Sequence, residues 1–163
     1  MNTETAFVAL GSNLEAPLTQ IRKAFAELGA LPKTRLIARS SLYRSAPVGN
    51  VNQPDFINAV AKLETALTPR ELLAALLEIE RRHGRQRDFP NAPRTLDLDL
   101  LLYGNLIHHE HGLTIPHPRM HQRAFVLSPL HEIAPDCVIP GIGSVADLVA
   151  AYTGQQLQRL VEN

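Results

Sequence analysis

Asp97 and Asp99 stand two residues apart inside Pro93-Arg94-Thr95-Leu96-Asp97-Leu98-Asp99-Leu100-Leu101-Leu102-Tyr103, an otherwise leucine-rich run. On a β-strand, positions i and i+2 share a face. The two carboxylates therefore project together, while Leu96, Leu98 and Leu100 cover the opposite side. Carboxylates roughly 6–7 Å apart repel by about 2–3 kcal/mol at an effective dielectric of about 20. Half-burial adds a desolvation cost unless positive charge is at hand. A hard divalent cation such as Mg²⁺ answers both problems, because it takes oxygen ligands. Arg94, just upstream, adds a fixed planar cation suited to phosphate. Taken together the residues read as a metal–phosphate site. A lone D-x-D also occurs at turns and on solvated faces, but that alternative suits polar surroundings, and these are apolar.

A basic segment precedes the aspartates. Arg81, Arg82, Arg85, Arg87 and Arg94 fall within fourteen residues. Arg81 and Arg82 suit a helix C-terminus, where cations are favourable. Arg85, Arg87 and Arg94 lie in a stretch broken by Gly84, Pro90 and Pro93. Guanidinium groups on such a loop suit a polyphosphate whose charge shifts during reaction. His108, His109 and His111 are irregularly spaced with no cysteine nearby, so they read as an exposed loop more than as a zinc site. His117, held between Pro116 and Pro118, is in a rigid setting. Cys137, the only cysteine, excludes an internal disulfide and reads as a buried or neutral thiol.

The chain of 163 residues is 45% hydrophobic, enough for one domain spanning 1–163 with a full core. Sixteen basic and sixteen acidic residues leave no net charge. No global field favours nucleic acid or a membrane surface, and an anionic ligand must be held by a local cluster. No apolar run is long enough to span a bilayer, and the N-terminal residues do not resemble a signal peptide. A cytoplasmic protein is expected.

The elements that must position these residues follow from periodicity and turn chemistry. Residues 6–10 form a short strand, with a turn at Gly11-Ser12-Asn13. Leu18, Ile21, Phe25 and Leu28 mark a helix that stops at Gly29. A second strand is expected over 34–43, a loop over 45–53 and a third strand over 56–63. Thr68-Pro69-Arg70-Glu71 is a capping box with proline in the first turn. The helix it starts has Leu72, Leu73, Leu76, Leu77 and Ile79 as its buried side. The aspartate strand runs over 95–103, and Gly104-Asn105 is read as a hairpin turn into 106–108. Strand, helix, strand, strand, helix, strand is the split βαβ order. The expected class is α+β: a ferredoxin-like βαββαβ core, mostly antiparallel, with helices packed on it. Additional C-terminal helices are expected over 121–133 and 145–160.

Five blocks, in order, carry a family resemblance: Gly11-Ser12-Asn13-Leu14, Tyr43-Arg44-Ser45-Ala46-Pro47, Gln53-Pro54-Asp55-Phe56-Ile57-Asn58-Ala59, Arg94-Thr95-Leu96-Asp97-Leu98-Asp99 and Pro116-His117. They closely resemble the 6-hydroxymethyl-7,8-dihydropterin pyrophosphokinases of folate biosynthesis. The resemblance implies transfer of the β,γ-pyrophosphoryl group of ATP to the pterin hydroxymethyl oxygen, with AMP leaving. It implies two Mg²⁺ ions between Asp97, Asp99 and the phosphates, and catalytic loop arginines at Arg85 and Arg94. Arg87, His117 and Arg123 match ATP-contacting positions. Phe56 and Phe125 match rings that stack on the pterin, and Asn58 matches the residue that reads its edge. Ser45, Ala46, Pro47 and Val48 match the loop that meets the same ring. Glu80 matches a helix acid near the site.

The chain also departs from the family pattern. Many members carry Trp three residues before the motif arginine, where this chain has Asn91 followed by Ala92. The Arg85–Arg94 loop is one residue shorter than a common family length, and Phe89 is its only aromatic residue. A polar helix position often used near ATP is Leu77 here. Loops 45–53 and 85–93 are expected to order over the bound substrates. Two other classes remain open on sequence alone. One is a nucleotidyltransferase with a palm-like sheet, which would need a nucleic-acid surface or another acceptor site. The other is a non-catalytic pterin or nucleotide binder, against which the intact Asp97, Asp99, Arg85 and Arg94 argue.

Overall fold

The computed structural model describes residues 2–14, 16–46, 54–84, 95–152 and 157–160. In chain order the elements are β1 (Glu4–Ser12), α1 (Pro17–Gly29), β2 (Thr34–Arg39), β3 (Tyr43–Ser45), β4 (Phe56–Thr65), α2 (Pro69–Arg82) and β5 (Asp97–Tyr103). There follow β6 (His108–Glu110), β7 (Leu113–Ile115), a 3₁₀ turn (Met120–Gln122), α3 (Ala124–Ile133), β8 (Val138–Ile139), β9 (Gly143–Ser144), α4 (Val145–Ala151) and β10 (Leu157–Arg159).

The main sheet runs β10-β3-β4-β1-β5, with β2 also on β4, and every pairing is antiparallel. This is the split βαβ core expected from the element order. Alternation along β1 sends Ala6, Val8 and Leu10 to one face and Phe7 and Ala9 to the other. The first face packs on α1 and α2 through Ile21, Phe25, Leu72, Leu76 and Ile79. The second packs on the C-terminal helices through Met120, Val126, Leu127 and Leu130. Each fully buried Leu or Ile contributes about 1.5–3 kcal/mol. The ladder between β1 and β5 shifts register between Phe7 and Val8, leaving Leu101 as the extra residue. The aspartate half of β5 thereby keeps strict alternation: Leu98 and Leu100 face α2, and Asp97 and Asp99 face the other way.

The capping box of α2 is formed. Thr68 Oγ1 accepts from Glu71 N–H at 3.1 Å, and the Glu71 carboxylate accepts from Thr68 N–H at 2.8 Å. The buried face of this helix differs from the expected one. Leu77 is 46% exposed, and Glu80 is buried in line with Leu72, Leu76 and Ile79. Successive leucines cannot share one stripe at 3.6 residues per turn, and Glu80, four residues after Leu76, takes the inward place.

Four other expectations are corrected. The strand over 34–43 is two strands, β2 and β3. Ser40 Oγ accepts from Val60 N–H at 2.9 Å and Ser41 N–H donates to the Glu132 carboxylate at 3.0 Å, so side chains replace ladder partners at the break. Gly104-Asn105 does make a turn, but β6 pairs with β7 and not with β5. Leu106 turns inward against the core instead, and His117 N–H meets the Leu101 carbonyl of β5 at 2.9 Å. The helix over 145–160 ends at Ala151, and Leu157–Arg159 pairs as β10 with the open edge of β3. The segment 121–133 is a 3₁₀ turn and α3, separated by Arg123 in extended conformation.

Candidate active site

β4, β1 and β5 lie side by side, and their register aligns the chemistry. Asn58 pairs with Gly11, which pairs with Asp97; Val60 pairs with Ala9, which pairs with Asp99. At these two positions the central strand contributes small residues, Ala9 and Gly11, between larger neighbours. A cavity of about 270 Å³ opens over this floor. Its walls include Asp97, Asp99, Phe56, Asn58, Ser45, Ala46, Arg123 and Phe125, so eight residues singled out in the sequence meet in one place. Ala9, Gly11, Arg119 and Gln122 also line it and were not singled out as site residues. A signal for Gly11 existed: glycine within a strand often marks close approach of a ligand or a neighbouring chain. A methyl group there would lie 3.4 Å from Asn58 Oδ1. Arg85, Arg87, Arg94, Pro47 and Val48 lie outside the described residues, as do Phe89, Asn91 and Ala92.

One wall is aromatic and polar. Asn58 and Ser45 are buried, and the Asn58 amide donates to Ser45 Oγ at 2.7 Å. The Arg123 guanidinium stacks over the Phe125 ring, 5.5 Å from its centroid. The other wall is charged. Both aspartates are half-buried on one face of β5, as their spacing requires. Their donor set, two hard carboxylate oxygen groups, fits Mg²⁺ that completes its shell with water and phosphate. No set of three or more His, Cys, Asp or Glu side chains converges as a metal site among the described residues, the β6–β7 histidines included.

Glu80 explains how the aspartates are held. Its buried carboxylate accepts from Leu98 N–H at 2.7 Å. Leu98 lies between Asp97 and Asp99, and β5 is the edge strand. A helix side chain therefore satisfies the peptide that a further strand would otherwise pair. His117 approaches from outside the same edge. Burial, reinforced by the charges of Arg123 and Arg119 and opposed by Asp97, pushes its pKa down to about 4. Burial likewise pushes the Cys137 thiol up, in line with a neutral thiol.

The turn after β1 ties the two walls together. Ser12 Oγ donates to the Thr95 carbonyl, two residues before Asp97. The adjacent Asn13 side chain donates to the Pro54 carbonyl at 3.0 Å, two residues before Phe56. Both side chains are buried, which gives the Gly11-Ser12-Asn13-Leu14 block a physical role.

The profile of the 7,8-dihydro-6-hydroxymethylpterin-pyrophosphokinase family matches residues 7–135. The chain belongs to that family. It is 47% identical over 156 residues to the 2-amino-4-hydroxy-6-hydroxymethyldihydropteridine pyrophosphokinase of Haemophilus influenzae, covering 96% of this chain and 98% of that protein. It is 46% identical over 157 residues to the Pseudomonas aeruginosa enzyme of the same name, covering 96% and 97%. Among solved structures, the HPPK-DHPS of Plasmodium falciparum in triple-mutant form superposes with a TM-score of 0.73 at 14% identity. That match covers 91% of this chain and 43% of the longer one, and it bears on the fold alone. Pyrophosphokinases of this family thus share the sheet and its helices with the present chain, and the class of activity is that of a transferase.

Proposed function

We propose that the Asp97–Asp99 cavity is where this chain moves the pyrophosphoryl group of ATP onto the hydroxymethyl oxygen of 6-hydroxymethyl-7,8-dihydropterin. The transfer itself is the activity of the family; the assignment of residues is the present reading. The observation that carries it is the convergence of paired carboxylates, two phenylalanines and a buried amide on one cavity.

The pterin is flat, heteroaromatic and uncharged. Phe56 and Phe125 fix its plane, and Asn58 with the Ser45-Ala46 backbone fixes its orientation. Pro47 and Val48 extend the same loop. The polyphosphate lies towards β5, where Asp97 and Asp99 would hold two Mg²⁺ ions. Such ions would supply positive charge against the phosphates and polarise the group being transferred. Arg123, His117 and Arg87 bind ATP, and Arg85 and Arg94 meet the charge that develops in transfer. The pterin oxygen forms a bond to the β-phosphorus, the bond from that phosphorus to the oxygen bridging to the α-phosphate breaks, and AMP departs. The hydroxyl proton leaves to solvent or phosphate. Positioning and charge neutralisation supply the catalysis.

The proposed form is a monomer acting on these two small molecules. No helix among the described residues is long and apolar enough to cross a membrane, in keeping with a cytoplasmic location. The direct test incubates the protein with ATP, Mg²⁺ and the hydroxymethyl-dihydropterin. Formation of AMP together with the pterin diphosphate is expected. Release of ADP or of free pyrophosphate would point to another reaction.

A further inference from the structure

Arg119 joins Asp97, Asp99 and Arg123 in lining the cavity. Its backbone is well anchored. Arg119 N–H donates to His117 Nδ1 at 3.2 Å, its carbonyl accepts from Gln122 N–H at 3.0 Å, and the next residue, Met120, is fully buried. The guanidinium therefore extends from a fixed base. Several exposed arginines are paired with carboxylates: Arg35 with Glu64, Arg70 with Glu110, Arg81 with Glu78, and Arg159 with Glu132, while Arg39 lies over the Phe25 ring and Arg44 meets the Gln158 side chain. Arg119 has no such carboxylate partner among the described residues.

We propose that Arg119 is an ATP-binding residue that grips the polyphosphate from the wall formed by the 3₁₀ turn. The proposal rests on the reading of the cavity as an ATP site. Two features select phosphate over pterin as its ligand. The pterin-facing side chains Phe56, Asn58 and Ser45 are uncharged, and a neutral ring offers a guanidinium no counter-charge. A polyphosphate, in contrast, carries enough negative charge to span from the metal-loaded aspartates to the arginines. A guanidinium fork matches phosphate oxygens in shape as well as charge. The Arg119 charge already reaches the site, since it is one of the influences that keep His117 neutral.

The test measures binding of a Mg²⁺-loaded α,β-methylene ATP analogue, and then of the pterin at saturating analogue, to wild type, Arg119→Ala and Arg119→Lys. For Arg119→Ala the analogue is expected to bind about ten- to hundredfold more weakly, the range for one charged hydrogen-bonding group. Pterin affinity at saturation and the melting temperature should stay within error. Arg119→Lys should recover part of the loss, and the salt dependence of analogue binding should be shallower in Arg119→Ala. Unchanged analogue affinity in Arg119→Ala overturns the proposal and leaves the ATP site standing. An equal loss of analogue and pterin affinity also overturns it, by showing a structural role. Wild-type protein that does not bind the analogue removes the ATP reading and this proposal together.

Discussion

His117 Nε2 lies 4.0 Å from Asp99 Oδ1, and the ring that makes this approach is neutral. Its Nδ1 accepts from Arg119 N–H, so the hydrogen-bond pattern assigns the proton to Nε2, on the side of Asp99. At 4.0 Å the pair is too far apart for a hydrogen bond. Asp99 therefore does not take up the Nε2 donor.

A pH prediction follows, with its sign set by the lowered pKa. The folded protein favours the neutral ring, so His117 contributes stability that is fully present above its ordinary pKa of 6.5. That contribution is lost as pH falls from 6.5 through about 4. A shift of this size corresponds to roughly 3 kcal/mol. In ligand-free protein, NMR titration of His117 should show a midpoint near 4, and the stability advantage of wild type over His117→Gln should shrink across the same window. A midpoint near 6.5 would contradict the burial argument.

Asp97→Asn and Asp99→Asn should each lower kcat by about 10²–10³-fold, the scale for losing one charge-stabilising group. Neither carboxylate supports the core, because both face the cavity while Leu98 and Leu100 carry the packing. Melting temperatures should therefore hold or rise slightly as like-charge repulsion is relieved. Near-normal turnover in either variant would end the metal assignment, and unfolding of both would make the pair structural.

Glu80 separates geometry from charge. Glu80→Ala leaves Leu98 N–H without its 2.7 Å partner, at a cost of about 1–3 kcal/mol in stability. It also loosens the one peptide between the two aspartates, so kcat should fall well beyond the stability loss. Glu80→Gln retains an acceptor oxygen and should recover most of the activity. Urea unfolding and steady-state kinetics on both variants check this. Equal inactivation by Ala and Gln would show that the carboxylate charge, and not the strand anchor, is what matters.

The aspartate strand is legible in the sequence because leucine and aspartate alternate where both cannot face the core. The capping box of α2 is legible because all its parts lie within four residues. The break between β2 and β3 is not, because Ser41 is held by Glu132, 91 residues away. Leu157 and Leu160 continue an apolar spacing that reads as helix, and only the open edge of β3 turns that segment into a strand. The same limit applies at the site. Phe56 and Phe125 line the cavity, and only family resemblance singles them out in the sequence, since isolated aromatic residues read as core. Arg119 follows His117-Pro118 and reads as surface, and it joins the site because Met120 pins the turn beside the cavity. Glu80 carries no local sign that its partner will be Leu98.

The Ser12-Asn13 turn anchors the start of both flanking strands. Asn13 is buried and holds the Pro54 carbonyl, and so fixes where β4 begins and where Phe56 stands. Ser12 does the same for Thr95 and the start of the aspartate strand. On the proposed assignment, the pterin and the ATP sides of the cavity would each rely on one of two neighbouring side chains of this turn. Asn13→Ala should cost about 1–2 kcal/mol of stability and raise KM for the pterin several-fold, with a smaller effect on KM for ATP. Ser12→Ala should act chiefly on kcat and on the Mg²⁺ concentration needed for half-maximal rate, because its partner leads to Asp97 and not to Phe56. Steady-state kinetics with each substrate varied in turn, at matched folded fractions, separates the two patterns. If both variants change all constants in the same proportion, the turn supports the fold without favouring either half of the site.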